Sequence, residues 1–113
     1  MSFVAVFIDD EKDLCETYDL LFAREGLEIK TFTNCFEAVK YLGSHPANIC
    51  FIDFRMPEKN GPECRKEISS DIPCYLITGE LNISNLEGFE GQIKKPLGEK
   101  QFLAIACKHG LVL

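Results

Sequence analysis

Apolar residues along the chain alternate between short dense runs and longer segments with helical spacing. Short dense runs are typical of strands that are buried on both faces. The runs lie at residues 3–8 (FVAVFI), 27–32 (LEIKTF), 49–52 (ICFI), 74–77 (CYLI) and, more weakly, 92–94 (QIK). This pattern predicts an α/β domain with five strands.

Two helices are predicted between the first three strands. The first ends near Gly26, because glycine commonly terminates a helix. Its apolar face comprises Leu14, Tyr18 and Leu21, with Cys15 and Phe22 beside it. The second begins after Asn34, which is a favourable N-cap, and is halted by the GSHP sequence at 43–46. Its apolar residues are Phe36, Val39 and Leu42.

The later connections predict weaker helices. Residues 61–70 offer a third helix, with Pro62 in its first turn and Cys64 and Ile68 as its apolar face. Residues 78–92 are polar and interrupted by glycine, so a fourth helix is expected to be short or absent, although Ser84 and Glu87 could form a capping box. A terminal helix is predicted over 98–111, and its inner residues are Phe102, Ile105, Ala106 and His109. Strand and helix alternating in this way predict right-handed crossovers and a doubly wound parallel sheet.

Length and composition narrow the class of protein. The 113 residues suffice for one core but not for two, so we expect residues 1–113 to be one domain, with no sign of an attached output domain. No apolar run is long enough for a membrane span. The N-terminal sequence MSFVAVFIDD lacks the basic region and the cleavage site of a signal peptide. We therefore expect a cytoplasmic protein. The net charge of −6, without a Lys/Arg stripe, argues against nucleic-acid binding.

The six cysteines are scattered singly, without a CxxC motif. We expect reduced thiols, several of them serving as small core residues. The residues are Cys15, Cys35, Cys50, Cys64, Cys74 and Cys107. A zinc site is not expected, since neither His45 nor His109 lies at ligand spacing from a cysteine pair.

Polar residues follow the predicted strands at the edge where ligands bind in a doubly wound sheet, outside the carboxyl ends of the strands. They are Asp9 and Asp10 after the first strand, Asp53 after the third, Thr78 after the fourth, and Lys94 and Lys95 after the fifth. Three carboxylates close together repel one another and raise at least one pKa unless a cation lies among them. Oxygen ligands of this kind suit Mg²⁺.

Such a site can perform phosphoryl transfer. A metal ion neutralises the charge that develops on the phosphoryl group, a lysine and a threonine hold its remaining oxygens, and an aspartate acts as nucleophile to form an acyl phosphate. Taken singly, each residue has a simpler explanation: Asp9–Asp10 as a helix cap, Asp53 as a turn residue, Thr78 as a strand end and Lys95 as a solvated charge. Their occurrence together on one sheet edge favours the functional interpretation.

These motifs resemble those of the receiver domain of two-component response regulators over the whole chain. The matching stretches are FIDD after the first strand, RMPEKNG after Asp53, TG after the fourth strand and KKP before the last helix. The spacing from Asp9 to Asp53 also matches, as do the positions of Pro57 and Gly61. The resemblance implies a flavodoxin-like strand order of 2-1-3-4-5 and a single-domain receiver similar to chemotaxis regulators.

The resemblance further implies roles for individual residues. Asp53 would accept a phosphoryl group from the histidine of a sensor kinase, from a phosphotransfer protein or from a small donor such as acetyl phosphate. Asp9 and Asp10 would bind Mg²⁺ with Asp53 and the backbone carbonyl of Arg55. Thr78 would donate a hydrogen bond to the phosphoryl group and Lys95 would pair with it, with a cis bond between Lys95 and Pro96.

In this interpretation the chain is not an enzyme that turns over a metabolite, but a monomer or weak dimer that switches binding to an unidentified downstream protein. Gln92 departs from the family pattern, in which an aromatic residue three positions before the lysine reports phosphorylation. The short third and fourth helices also place in doubt the surface that the family uses for output. We further hypothesise that Arg55 and Glu80 form an ion pair over the entrance and hinder the water that hydrolyses the acyl phosphate.

Two alternatives remain open. One is a degenerate receiver that acts as a phosphorylation-independent binding scaffold, which Gln92 and the thin fourth helix favour. The other is a small phosphatase resembling the haloacid dehalogenases, which also use an aspartate nucleophile with Mg²⁺. That family requires a DxD pattern after the first strand, whereas Asp9 and Asp10 are adjacent here.

Overall fold

Five strands form one parallel sheet in the computed structural model of the protein, which describes residues 2–80 and 86–113. The strands are β1 (Phe3–Ile8), β2 (Leu27–Phe32), β3 (Ile49–Asp53), β4 (Cys74–Thr78) and β5 (Gly91–Lys94). Their order is β2-β1-β3-β4-β5, and every neighbouring pair is parallel. The predicted fold class and strand order are therefore confirmed.

Four helices cover the sheet within the described part of the chain: α1 (Lys12–Phe22), α2 (Cys35–Leu42), α3 (Gly61–Arg65) and α4 (Glu99–Lys108). The buried residues of α1 and α4 belong to the core on one face, and those of α2 and α3 to the core on the other. Within residues 2–80 and 86–113, no helix has the length and apolar content needed to cross a bilayer.

The third and fourth connections between strands contain little helix, as the sequence predicts. Helix α3 is shorter than the predicted segment, and Ile68 lies beyond its end but is still buried. The described residues between β4 and β5, which are 79–80 and 86–90, contain no helix. Ser84 of the predicted capping box lies outside the described residues.

The core between the sheet and helices α1 and α4 is largely aromatic. The ring of Phe7 stacks on Tyr18 at a centroid distance of 4.4 Å and on Phe51 at 4.8 Å, and Phe22 stacks on Phe102 at 4.5 Å. Because side chains alternate along a strand, Phe51 and Asp53 of β3 lie on the same face. The aromatic core therefore extends directly to the carboxylate at the sheet edge.

Two apolar residues predicted to face the core are exposed instead, Leu21 on α1 and Phe36 on α2. The buried side chains of α1 are Cys15, Tyr18 and Phe22, whose spacing turns Leu21 toward solvent. Helix α2 buries the small residues Cys35 and Ala38, and the ring of Phe36 remains 72% exposed. Apolar spacing predicted both helices correctly but not the exact stripe that packs on the sheet.

The expectation of reduced cysteines is wrong for one pair, since Cys35 and Cys64 form a disulfide. Their Cα atoms are 5.8 Å apart, within the range that a disulfide spans, although the residues are 29 positions apart in the chain. Only the packing of α2 beside α3 on one sheet face brings them together, and cysteine spacing carries no sign of it. Cys15, Cys50 and Cys74 are free and buried, as predicted for small core residues.

Helix α3 begins in close contact with the strand ends. Asn60 and Glu63 form a reciprocal capping box, and the Gly61 N–H donates to the Phe54 carbonyl at 2.9 Å. A Cβ atom added at Gly61 would lie 2.8 Å from the backbone oxygen of Asp53 and 2.6 Å from Cδ1 of Leu76. Glycine is therefore required here by the close approach of α3 to β3 and β4.

We predict that Gly61→Ala lowers the free energy of unfolding by about 1–3 kcal/mol, because the added methyl group must displace the backbone at Asp53. The change is measured by urea denaturation. Gly43→Ala is the matched control, since Gly43 has helical backbone angles and its Cβ would make only ordinary contacts at 3.5 Å. Equal denaturation midpoints for Gly61→Ala and the parent protein would contradict this packing.

Candidate functional site

Three carboxylates meet at the carboxyl ends of β1 and β3, as the sequence predicts. Asp9, Asp10 and Asp53 each offer a carboxylate oxygen, and these oxygens all lie within 4.8 Å of one another. Asp9 and Asp53 are buried, whereas Asp10 is exposed. The cluster is therefore held from the core side and opens to solvent at Asp10.

The ammonium of Lys95 lies between the two buried carboxylates. Its Nζ atom is 3.0 Å from Oδ1 of Asp53 and 3.2 Å from Oδ2 of Asp9. The Lys95 N–H donates to the Thr78 carbonyl at 2.8 Å, and the bond to Pro96 is cis, as the resemblance implies. The adjacent Lys94 is exposed and lies outside this arrangement.

One ammonium does not neutralise the cluster. Burial, followed by the charge of Asp9, raises the pKa of Asp53 to about 6 even though Lys95 opposes the shift. Burial also raises the pKa of Asp9, against a hydrogen bond from the Glu11 N–H and the charge of Lys95. Burial lowers the pKa of Lys95, but its hydrogen bond with Asp53 and the two carboxylate charges outweigh burial and raise it overall. The site thus retains excess negative charge.

The donor set fits a hard divalent cation. Oδ2 of Asp9 is buried, and the Lys95 ammonium 3.2 Å away is shared with Asp53 and is not well aligned for a hydrogen bond to Oδ2. A buried carboxylate oxygen that has only part of one ammonium is incompletely satisfied, and a metal ion would satisfy it. Carboxylate oxygens with an opening to water are the ligands that such ions prefer.

Thr78 and the Arg55–Glu80 pair form the rim of the site. The buried Thr78 hydroxyl accepts a hydrogen bond from the Glu80 N–H at 3.0 Å, which fixes the backbone just beyond β4. The predicted ion pair between Arg55 and Glu80 is present. The side chain of Arg55 is 76% exposed, so this pair is at the surface rather than in the core.

Sequence reasoning missed two groups beneath the cluster. The Cys15 thiol donates to the Asp9 carbonyl at 3.3 Å. One turn later on α1, the buried Tyr18 hydroxyl has no hydrogen-bond partner among the described residues. Side chains of a helix lean toward its N-terminus, and the N-terminus of α1 lies beside Asp9. Burial raises the pKa of Tyr18, and the charges of Asp9 and Asp53 raise it further. The apolar face of the predicted first helix included Tyr18, but only as a core residue.

Arg65, at the end of α3, is a further residue that the sequence did not single out. Its guanidinium is buried and donates to the carbonyls of Gly88 at 2.7 Å, Ile68 at 2.9 Å and Ser69 at 3.2 Å. The hydrogen bond to Gly88 joins α3 to the segment before β5. Gln92, which stands where the family usually has an aromatic residue, is half-buried in β5 beside Leu76 of β4.

Comparisons with known proteins agree with this geometry. The family model described as response regulator receiver domain matches residues 5–106. The response regulator SaeR of Staphylococcus aureus is 28% identical over 106 residues, and the match covers 87% of this chain but 46% of SaeR. The chain thus spans about half the length of that curated relative.

Solved structures show the same fold. A CheY-like receiver domain from Methanospirillum hungatei superimposes with a TM-score of 0.85 at 17% identity, covering 96% of this chain and 93% of that one. The response regulator TrrA of Thermotoga maritima, solved in complex with Mg(2+)-BeF, superimposes with a TM-score of 0.84 at 25% identity. That match covers 95% of this chain and 98% of TrrA.

We predict that Asp53→Asn stabilises the metal-free protein at pH 7 by about 1–2 kcal/mol, a figure reduced for solvent screening. Because the folded state holds the Asp53 proton more tightly than the unfolded state, the contribution of this carboxyl to stability is fully present below about pH 4 and is lost as pH rises through about 6. The Asp53→Asn variant has no carboxyl at this position and should not show this pH-dependent loss of stability. Urea denaturation of both proteins from pH 4 to 7.5 measures the difference in their free energies of unfolding.

The exposed carboxylate of Asp71 provides the control for this measurement. Asp71→Asn should follow the pH dependence of the parent protein. If Asp53→Asn and the parent protein lost stability in parallel between pH 4 and 7, the Asp53 carboxyl would not carry the proposed burial cost.

Proposed function

This chain belongs to the response regulator receiver domain family, and on that premise we propose that Asp53 accepts a phosphoryl group in a Mg²⁺-dependent reaction. The observation that carries the proposal is the Lys95 ammonium between the buried carboxylates of Asp53 and Asp9, at 3.0 and 3.2 Å. A nucleophilic carboxylate, a cation for the phosphoryl oxygens and an acidic cluster are thereby joined in one site.

The acidic cluster would hold the metal ion. The proposed ligands are the carboxylates of Asp9, Asp10 and Asp53 and the backbone carbonyl of Arg55. When bound, Mg²⁺ supplies positive charge that offsets the negative charge on the transferring phosphoryl group. It would also oppose the burial and the charge of Asp9 that raise the pKa of Asp53, and so favour the ionised nucleophile.

The chain's own residues then carry the transfer. An oxygen of the Asp53 carboxylate forms a bond to phosphorus, and the bond between phosphorus and the donor's nitrogen or oxygen breaks with its electron pair staying on the donor. Lys95 pairs with a phosphoryl oxygen instead of the carboxylates. Thr78 already accepts a hydrogen bond from the Glu80 N–H, so its hydroxyl proton remains available to a second phosphoryl oxygen.

Water ends the phosphorylated state by attacking the acyl phosphate, which restores Asp53 and releases inorganic phosphate. The chemistry is therefore stoichiometric modification and hydrolysis rather than turnover of a metabolite. We propose a sensor histidine kinase or a phosphotransfer protein as donor and a downstream protein as the partner whose binding changes. The proposal applies to the receiver domain, residues 1–113, whatever the chain is attached to.

One observation favours a phosphorylation-independent scaffold as a second candidate. Gln92 occupies the position in β5 where an aromatic side chain usually reports phosphorylation. The phosphatase alternative has no such support, because the best-placed nucleophile lies at the end of β3 rather than in a DxD pattern after β1.

Incubation with acetyl phosphate and Mg²⁺ tests the proposal. We expect intact-protein mass spectrometry to show a gain of one phosphoryl group that requires Mg²⁺. Asp53→Asn should abolish the gain, whereas Asp71→Asn should retain it. Absence of the gain in the parent protein would favour the scaffold, and turnover of a phosphate ester would favour the phosphatase.

The rim pair generates a second test. We predict that Arg55→Ala shortens the lifetime of the acyl phosphate by up to about fivefold, the change in rate that about 1 kcal/mol produces, because water then approaches Asp53 more freely. Dephosphorylation is followed by mass spectrometry after removal of the donor.

Lys30→Ala is the matched control for Arg55→Ala. It also removes a cation from an exposed ion pair, the pair with Glu28, and both residues of this pair lie on the edge strand β2. The lifetime in Lys30→Ala should equal that of the parent protein. An unchanged lifetime in Arg55→Ala would refute the shielding role.

A further inference from the structure

The Cys35–Cys64 disulfide closes a loop around the proposed phosphoacceptor. Cys35 is the first residue of α2, and Cys64 lies in α3. The chain between them includes all of β3, with Asp53 at its end, and the connection formed by residues 54–60. A covalent link at this position therefore restrains both ends of the segment that presents Asp53.

Direct contacts connect α3 to Asp53. The Gly61 N–H donates to the Phe54 carbonyl at 2.9 Å, and α3 approaches β3 so closely that a Cβ at Gly61 would lie 2.8 Å from the Asp53 carbonyl oxygen. Closely packed backbone transmits displacement rather than absorbing it. A shift of α3 must therefore move the backbone of Asp53 and the residues that follow it.

The two helices joined by the disulfide are short, and noncovalent contacts hold each of them in place. Helix α2 has eight residues and buries Cys35 and Ala38. Helix α3 has five residues and is held by the packing of Gly61 on β3 and by the hydrogen bonds of Arg65. Helices of this length are not stable without tertiary packing. The disulfide adds a covalent restraint between α2 and α3 to these contacts.

A groove lies against the Cys35 end of this disulfide. It has a volume of about 560 Å³ and is lined by Cys35, Phe36, Met56, Pro57, Lys59 and Asp10, among others. Cys35 thus lines the same groove as one of the proposed metal ligands and is 7% exposed, whereas Cys64 is fully buried. Cys35 is therefore the more accessible end of the bond for a small dithiol.

The other thiols of the described residues do not offer an equivalent site. Cys50 and Cys74 are neighbours in register on β3 and β4, but both are free and completely buried. Cys15 is occupied by its hydrogen bond to the Asp9 carbonyl, and the exposed Cys107 lies on α4, on the other face of the sheet. The redox chemistry that bears on Asp53 therefore centres on Cys35 and Cys64.

We propose that Cys35 and Cys64 form a reversible redox modification site, and that the disulfide form holds Asp53 in the geometry that favours phosphoryl acceptance. The link between the redox state of this pair and phosphorylation rests on the proposed function of Asp53. With the bond intact, α2 and α3 clamp β3 and residues 54–60. With the bond reduced, α3 moves more freely and the Asp53 backbone follows it.

The chemistry is thiol–disulfide exchange with a dithiol reductant. One thiolate of the reductant attacks the sulfur of Cys35, and the bond to Cys64 breaks with its electron pair leaving on the Cys64 sulfur, which is then protonated. The second thiol of the reductant closes its own disulfide and releases Cys35 as a thiol. The dithiol is oxidised by two electrons, and the protein disulfide is reduced by two. A small-molecule disulfide oxidant reverses both steps.

The test compares the parent protein oxidised with glutathione disulfide and reduced with dithiothreitol, with the redox state verified by the mass of alkylated thiols. We expect reduction to slow phosphorylation by acetyl phosphate and Mg²⁺ by at least about threefold, since small displacements of a reacting group cost at least this much in rate. We also expect faster amide hydrogen exchange at residues 54–65 in the reduced protein, with or without Mg²⁺.

Variants separate the disulfide from other effects of the reductant. Cys35→Ser and, independently, Cys64→Ala should behave like the reduced parent protein and should no longer respond to dithiothreitol. Cys107→Ser should respond like the parent protein. A dithiothreitol effect that persisted in both Cys35→Ser and Cys64→Ala would overturn the proposal, as would equal phosphorylation rates and equal exchange in the two redox states.

The two readouts distinguish this inference from the proposed function. If neither redox form were phosphorylated, the proposed function of Asp53 would fail, and hydrogen exchange alone would decide whether the disulfide restrains the segment. Redox-dependent exchange at residues 54–65 would then still support the clamp. Redox-independent exchange would overturn it.

Discussion

The candidate site depends on one electrostatic arrangement, the ammonium of Lys95 between the buried carboxylates of Asp53 and Asp9. Two carboxylates in a buried site would repel strongly without a cation between them. The single ammonium opposes this repulsion, yet burial and then the charge of Asp9 still raise the pKa of Asp53 to about 6. The negative charge of the cluster is the basis on which we propose that the site binds a divalent cation and accepts a phosphoryl group.

The fold keeps this unfavourable cluster in place by rigid support on each side. The stacked rings of Phe7, Tyr18 and Phe51 fill the core beneath it, so β1, which precedes Asp9, and β3, which ends at Asp53, cannot move apart without exposing aromatic surface. On the opposite face α3 packs directly on β3 at Gly61, and the disulfide ties α3 to α2. The favourable packing of the core thus offsets the cost of burying the carboxylates at the site, as is common where function requires buried charge.

Much of this arrangement could be predicted from the sequence, because strands buried on both faces leave dense apolar runs and the carboxyl ends of parallel strands share one edge. The strand order, the acidic cluster, Lys95 and the Arg55–Glu80 pair followed from those patterns and from the family resemblance. The disulfide and the hydrogen bonds of Arg65 did not, since they depend on how α3 packs against distant segments. The exposure of Phe36 was also missed, because periodicity defines a helix face only approximately.

The charge balance at Asp53 is tested most directly by NMR. The chemical shift of the Asp53 carboxyl carbon is followed as a function of pH, in the metal-free protein and in saturating Mg²⁺. The account predicts an apparent pKa near 6 without metal, because burial and Asp9 outweigh Lys95, and a clear decrease when Mg²⁺ binds. Replacement of Lys95 by methionine should raise the metal-free value further. An Asp53 carboxyl that titrates near 4 in the metal-free protein, or that does not respond to Mg²⁺, would contradict the account.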